Sequence, residues 1–126
     1  MTDIINNTVL DDQERFMAAC GQTTFEENLT QFHLYVDLIK EELAELEQAI
    51  GDQNATEQLD ALLDIIVVCS GALLSRKWDS HGAWAEVVSS NTAKVDPVTG
   101  KVIKREDGKI LKPEGWTPPQ LKQFTE

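Results

Sequence analysis

The chain of 126 residues has few basic residues, few prolines and few aromatic residues. Only 11 Lys and Arg stand against 22 Asp and Glu, which gives a net charge of −11. This balance argues against nucleic acid as a partner, because a phosphate backbone attracts a basic surface. Four prolines and a hydrophobic fraction of 41% argue against a disordered chain. The composition therefore predicts one folded domain covering residues 1–126.

Long apolar runs and cysteine motifs are also missing. The longest mostly apolar run, Ala61 to Leu74, is interrupted by Asp64, and a membrane span needs about 20 residues. The N-terminal residues lack the basic start and long apolar run of a signal peptide. Cys20 and Cys69 show no CxxC spacing, so a disulfide framework is not implied. We therefore expect a cytoplasmic protein that has no contact with a membrane.

Hydrophobic residues recur with helical spacing along most of the chain, which predicts four helices. The expected spans are Val9–Cys20, 25–50, 56–74 and 80–93. The expected N-caps are Asp11 or Asp12 for the first helix, a Thr24–Glu27 capping box for the second, and Thr56 for the third.

After residue 94 the composition changes to turn signals. Asp107-Gly108 lies between the short apolar segments 102–104 and 109–111, which predicts a small hairpin. The following segment, 113–119, is rich in proline and predicts an irregular tail. The predicted fold is therefore all-α, a four-to-five-helix bundle with a core at about 9–94 and a tail at 95–126.

Carboxylates interrupt the apolar pattern of the second helix. At about 100° per residue, Glu42 points between the directions of Leu38 and Leu46, within the apolar face. Glu45 lies at the edge of that face, and Glu41 lies a little further round. A Glu-rich helix usually presents a solvated surface, and Glu41 fits that interpretation. Glu42 does not, because its direction is that of the core.

The third helix is apolar around nearly its whole circumference, which is typical of a helix in the middle of a bundle. Its narrow polar stripe consists of Glu57, Asp60 and Asp64. This stripe either faces solvent or faces Glu42 and Glu45 across an antiparallel helix pair. In the second case the carboxylates would repel one another unless a cation lay between them. All-oxygen ligation favours Mg²⁺, and Mn²⁺ would also fit.

These acidic runs resemble those of the all-α nucleoside triphosphate pyrophosphohydrolases, and in particular the small MazG-like branch. Dimeric dUTPases and phosphoribosyl-ATP pyrophosphohydrolases belong to the same superfamily. Their mark is EExxE followed by ExxD on the next helix. The segment 41–45 matches EExxE, and Asp64 matches the Asp of ExxD. The Glu of ExxD falls at Ala61, so Asp60 or Glu57 must replace it.

Further blocks of the resemblance are 90–94 and 107–116, so it covers most of the chain. It implies a Mg²⁺-dependent enzyme that converts a (d)NTP to the (d)NMP and pyrophosphate. The implied metal ligands are all acidic side chains: Glu41, Glu42, Glu45, Asp60 and Asp64. The implied general base is Glu41 or Glu42. The phosphates would be bound by an amide and three ammonium groups: Asn91, Lys94, Lys109 and Lys112.

Three functional hypotheses remain open from the sequence. The first is hydrolysis of deoxynucleotides or non-standard nucleotides in pool sanitation. The second is a dUTPase-like or phosphoribosyl-ATP pyrophosphohydrolase-like activity. The third is a non-catalytic helical oligomerisation or regulatory module, which the alanine at position 61 favours. The apolar third helix and the resemblance both predict association into a dimer or a dimer of dimers. The preferred base and sugar cannot be inferred from these residues.

Overall fold

The computed structural model describes residues 8–126. Its helices are α1 (Val9–Ala19), α2 (Leu29–Gly51), α3 (Ala55–Leu74) and α4 (Ser80–Thr92), followed by a short 3-10 turn at Lys122–Phe124. No β-strand occurs in the described part of the chain, which confirms the all-α prediction. The N-terminal residues on which the signal-peptide prediction rests lie outside the described range. None of the helices in residues 8–126 is long and apolar enough to cross a membrane.

The N-cap of α1 differs from the prediction. Thr8 caps the helix, and its Oγ1 accepts a hydrogen bond from the Asp11 backbone N–H at 3.2 Å. Asp11 Oδ2 in turn accepts a hydrogen bond from the Thr8 N–H at 2.8 Å. The predicted caps Asp11 and Asp12 are therefore wrong, because both lie in the first turn of the helix. Asp11 serves as the second half of a capping box instead.

The predicted capping box at 24–27 is also wrong, because α2 begins only after Asn28. Phe25 has a φ of 61°, a left-handed conformation that cannot continue into a helix. Glu27 does not fold back on the backbone. Its Oε1 lies 2.7 Å from the Arg76 Nε, at the far end of α3. The Glu27 carboxylate is therefore bound to Arg76 and does not form the predicted capping box.

The turn between α2 and α3 lies where the sequence predicts it, but its cap residue is different. Asn54 caps α3, and its Oδ1 accepts a hydrogen bond from the Glu57 N–H at 3.1 Å. Gln53 has a φ of 54°, which allows the chain to reverse. The predicted cap Thr56 is wrong, because it is already within the helix.

The helices α2 and α3 run antiparallel. Gln31 Nε2 donates to Ser75 Oγ at 2.8 Å near one end of the pair. Near the other end, Gln58 Nε2 donates to the Ala49 carbonyl at 3.3 Å. Residue numbers therefore increase along α2 as those of the contacting residues decrease along α3, which confirms the predicted antiparallel pair.

α3 packs against both α1 and α2. The core between them contains apolar side chains from all three helices: Leu10, Met17, Tyr35, Val68, Ala72 and Leu74. Large apolar side chains on the rest of α3 remain exposed: Leu59, Leu62, Leu63, Ile66, Val67 and Leu73. The predicted central position of α3 is therefore only partly achieved within one copy of the chain.

The chain divides into two compact units, one ending at Trp78 and the other formed by Asp79–Glu126. In the second unit the Asp79 N–H donates to the Phe124 carbonyl at 3.1 Å, which joins the start of α4 to the end of the chain. The predicted hairpin is present in its shortest form, an isolated antiparallel bridge between Lys104 and Ile110. The single-domain prediction stays a prediction.

Candidate functional site

The antiparallel pair α2–α3 brings together acids from both halves of the motif. Tyr35 packs against Gly71, and about two turns further along the pair Glu42 lies near Asp64, with Asp60 one turn beyond. The side chain of Glu42 is half-buried, as its helical direction predicts. Two members of the α3 stripe, Asp64 and Asp60, therefore lie near the acids of α2, whereas the side chains of Asp60 and Glu57 are also exposed to solvent.

Glu42 is the most perturbed carboxylate in this group. Its pKa is raised from 4.5 to about 7, first by desolvation and then by a hydrogen-bonding contact with the Glu45 carboxyl. The negative charges of Glu45, Asp64 and Asp60 raise this pKa further. The Oε2 atom of Glu42 is buried and has no hydrogen-bond partner among residues 8–126. A buried carboxylate oxygen without a donor is costly unless a proton or a cation compensates it.

The remaining acids differ in their relation to Glu42. Asp60 contributes to its raised pKa. Glu57 lies in the first turn of α3, close to its cap. Ala61 is 2% exposed, so the position of the family Glu is occupied by a small side chain in the core. Of the two substitutes considered, Asp60 is the one that acts on Glu42.

The acids supply the donor chemistry of a hard divalent cation, since every candidate ligand atom is a carboxylate oxygen. The unpartnered Oε2 of Glu42 is an atom that such a cation would satisfy. No group of three or more His, Cys, Asp or Glu side chains within residues 8–126 is arranged to hold a metal ion as it stands. The set of five acidic metal ligands therefore stays a prediction.

Predicted phosphate-binding residues meet in the second unit. Lys94 Nζ donates to Asn91 Oδ1 at 3.2 Å, just beyond the end of α4. The same ammonium lies 5.0 Å from the centroid of the Trp116 ring, and the ammonium of Lys112 lies 5.2 Å from it. Asn91, Lys94 and Lys112 thus form one cluster around an indole ring.

Lys109 is placed differently. It belongs to the turn between Arg105 and Ile110, where its carbonyl accepts from the Arg105 N–H at 2.7 Å. Its own N–H donates to Asp107 Oδ1 at 3.1 Å. The backbone of Lys109 is therefore used to close the turn, and its exposed side chain extends from it.

The sequence favours packing for Trp116 over stacking on a nucleotide base. The indole Nε1–H donates to the Ser90 carbonyl at 2.8 Å, which fixes the ring against α4. The spacing of Lys112 and Trp116 in the sequence offers a weak signal of a cation–π contact. The contact with Lys94 depends on the path of the tail and has no signal in the sequence.

The sequence comparisons identify one family. A family model described as phosphoribosyl-ATP pyrophosphohydrolase matches residues 13–91, well over half of the chain. The matched region contains all five predicted metal ligands and Asn91, but it ends before Lys94. A search of curated proteins gave no match.

This match confirms the resemblance to the all-α nucleoside triphosphate pyrophosphohydrolase superfamily and the prediction of an enzyme. It favours the phosphoribosyl-ATP alternative over the general (d)NTP hypothesis that the sequence placed first. The acids facing each other on α2 and α3 lie within the region that the family shares. The chain belongs to the phosphoribosyl-ATP pyrophosphohydrolase family and is a pyrophosphohydrolase.

Proposed function

We propose that this protein hydrolyses the α–β phosphoanhydride of a nucleoside triphosphate in a Mg²⁺-dependent reaction, with phosphoribosyl-ATP as the first candidate substrate. The observation that carries the proposal is the half-buried Glu42 carboxylate, which has an unpartnered oxygen and faces Asp60 and Asp64 in a chain of this family. A half-buried carboxylate with an unpartnered oxygen beside other acids is difficult to explain as a solvated surface.

The donor set indicates which side chains would hold the cation. Glu42, Glu45 and Asp64 are the best candidates, with Glu41 and Asp60 next. A bound Mg²⁺ or Mn²⁺ would neutralise the charge that develops on the triphosphate and orient the attacking water. In this reaction the water would attack the α-phosphorus and pyrophosphate would leave, with the carboxylates holding the cation in place.

The proton of the attacking water requires an acceptor. Glu41 and Glu42 are the two candidates, and the acceptor would be whichever of them the cation does not fully engage. The pKa of Glu42, about 7 when its neighbours are the other acids alone, would fall beside a cation. Such a carboxylate is ionised at neutral pH and can take the proton as general base.

The choice of substrate rests on two different observations. The family match supports phosphoribosyl-ATP. Residues 92–126 lie outside the match and contain the block 107–116 that resembles the small MazG-like branch, which supports (d)NTPs, dUTP included, as the second candidate. The ammonium groups of Lys94, Lys109 and Lys112 are proposed to bind the phosphates of either substrate.

One assay tests both the activity and the site. Pyrophosphate release is measured with Mg²⁺ for phosphoribosyl-ATP, the standard dNTPs, dUTP and modified nucleotides. Glu42→Gln and Asp64→Asn should each reduce turnover strongly. Glu47→Gln is the matched control, because Glu47 is an exposed acid on the same helix, and its turnover should equal that of the wild type.

The outcomes separate the alternatives. Turnover of phosphoribosyl-ATP alone would establish the first substrate, whereas turnover of the dNTPs would establish the second. If no nucleotide is hydrolysed, the enzymatic proposal is wrong and the regulatory module is favoured. If Glu42→Gln and Asp64→Asn both retain full activity, the site is wrong.

We also propose that two copies, or two pairs of copies, associate through the exposed apolar side of α3. This side includes Leu63 at 53% and Leu59 at 60% exposure. Large exposed apolar patches mark association surfaces. Leu63→Glu should convert the oligomer to monomers in size-exclusion chromatography with light scattering. Val98→Glu is the control, because Val98 is 91% exposed in the tail, and a monomeric wild type would contradict the proposal.

A cytoplasmic location belongs to the same proposal. Both cysteines, Cys20 and Cys69, are free thiols in the structure, as expected in a reducing compartment.

A further inference from the structure

Trp116 joins the tail to the end of α4 through a hydrogen bond and a cation–π contact, and it makes a second cation–π contact within the tail. Its Nε1–H donates to the Ser90 carbonyl at 2.8 Å. Its ring lies 5.0 Å from Lys94 Nζ and 5.2 Å from Lys112 Nζ. We propose that Trp116 is a positioning residue, which assembles Lys94, Lys112 and Asn91 into a site for the pyrophosphate moiety of the substrate. This inference rests on the proposed function.

The hydrogen bond of Trp116 fixes the position of the indole ring, and the ring attracts the two ammonium groups. A cation over an indole face gains about 0.5–1 kcal/mol at an exposed site. Without this ring, two long lysine side chains would keep full rotamer freedom and, as like charges, would avoid each other. Trp116 therefore lowers the cost of bringing Lys94 and Lys112 together before an anion binds.

The ammonium groups remain able to bind an anion. Lys94 Nζ has three N–H donors, and the bond to Asn91 Oδ1 at 3.2 Å uses one of them. An aromatic face attracts a cation without neutralising its charge. An anion that reached both lysines would accept hydrogen bonds from each and relieve their mutual repulsion.

The charge distribution along the chain also favours an anion here. Residues 79–126 contain seven of the 11 basic residues and seven of the 22 acidic residues, so this segment has no net charge. The whole net charge of −11 therefore belongs to residues 1–78. A polyanionic substrate meets less repulsion at the Trp116 cluster than at any site within the acidic segment.

Binding of inorganic pyrophosphate to the full chain in EDTA tests the inference without turnover, because the acids then lack a cation to bridge to the anion. Affinity is measured by calorimetry, and tryptophan fluorescence reports on the ring. Trp116→Ala should weaken binding about tenfold, which corresponds to about 1.4 kcal/mol. Trp116→Phe retains an aromatic face and should restore most of the affinity. Trp84→Ala, which removes an exposed indole from α4, should bind as the wild type does.

Lys112→Ala keeps the test decisive if Trp116→Ala fails to fold, because Lys112 is exposed and its truncation removes no buried side chain. Unchanged pyrophosphate affinity in Lys112→Ala, or in a folded Trp116→Ala, would overturn the inference. With the substrate that the enzyme turns over, Trp116→Ala should raise KM about tenfold and leave kcat nearly unchanged. If no nucleotide is hydrolysed but the variants bind pyrophosphate with the expected differences in affinity, the anion site is supported and the proposed reaction is wrong.

Discussion

Gly71 on α3 is the position where one methyl group should do the most damage. A Cβ built there would lie 2.5 Å from Tyr35 Cζ and closer still to Cε1 and Cδ1 of the same ring. Carbon atoms in contact prefer about 3.5–4.0 Å, so the ring would have to move by about 1 Å or more. Tyr35 has little room to move, because it is 5% exposed and its hydroxyl donates to Gln22 Oε1 at 2.5 Å.

The expected cost of Gly71→Ala follows from two opposing contributions. Overpacking a tight core site costs about 1–3 kcal/mol and occasionally more. Alanine returns about 1 kcal/mol, because it favours a helix more than glycine does. Three ring atoms of Tyr35 are affected, so the overpacking cost lies at the upper end, and we expect a net loss of about 2 kcal/mol in the free energy of unfolding.

Urea denaturation followed by far-UV circular dichroism measures this loss. Gly51→Ala is the matched control, because it also lies in a helix and its Cβ would meet no atom within 4 Å. Its stability should be unchanged or raised by up to about 1 kcal/mol. In a Tyr35→Leu background the cost of Gly71→Ala should largely disappear, since the ring is gone. A Gly71→Ala protein as stable as the wild type would refute the proposed contact.

Other residues give further predictions. The pKa of Glu42 is raised from 4.5 to about 7, so the free energy of unfolding of the metal-free protein should fall as the pH rises from about 4.5 to 7. Denaturation in EDTA at several pH values measures this fall, which Glu42→Gln should lack. The same pH dependence in both proteins would contradict the prediction. Mg²⁺ should raise the melting temperature of the wild type but not of Asp64→Asn, and equal shifts would exclude Asp64 as a ligand. The Arg76 guanidinium lowers the pKa of Glu27, so Arg76→Ala should raise it in an NMR titration. At a pH above the unfolded-state pKa of Glu27 the ion pair stabilises the fold, and this stabilisation is lost as the pH falls through the folded-state pKa. Arg76→Ala should not show this acid-dependent loss of stability.

The bounds of the helices could largely be predicted from sequence, whereas their caps could not. Regular apolar spacing placed α3 and α4 within about a residue of their ends, because that pattern is local. Thr24 and Glu27 have the spacing of a capping box, but Glu27 pairs with Arg76, 49 residues away in sequence. A pattern in a short window carries no information about a partner so distant.

The candidate site was predictable to a similar extent. The direction of Glu42 follows from the helical repeat, and a short turn requires an antiparallel neighbour, so its proximity to Asp64 could be inferred. The burial of Ala61 could not, because it depends on how α3 packs in three dimensions. The contacts of Trp116 could not be predicted for the same reason, since they join the end of α4 to a tail without regular structure.

The segment between α1 and α2 is held by bonds to the distant end of α3. The Phe25 and Asn28 N–H groups donate to the carbonyls of Leu74 and Ser75 at 2.8 and 2.9 Å. Arg76 lies 4.8 Å from the centroid of the Phe32 ring and extends this connection. Contacts between residues so far apart in sequence form late in folding, because loop closure costs entropy first. We therefore expect the segment between α1 and α2 to reach its final structure after the α2–α3 pair has formed. Slow exchange of the Phe25 and Asn28 amide hydrogens would then report completion of the fold.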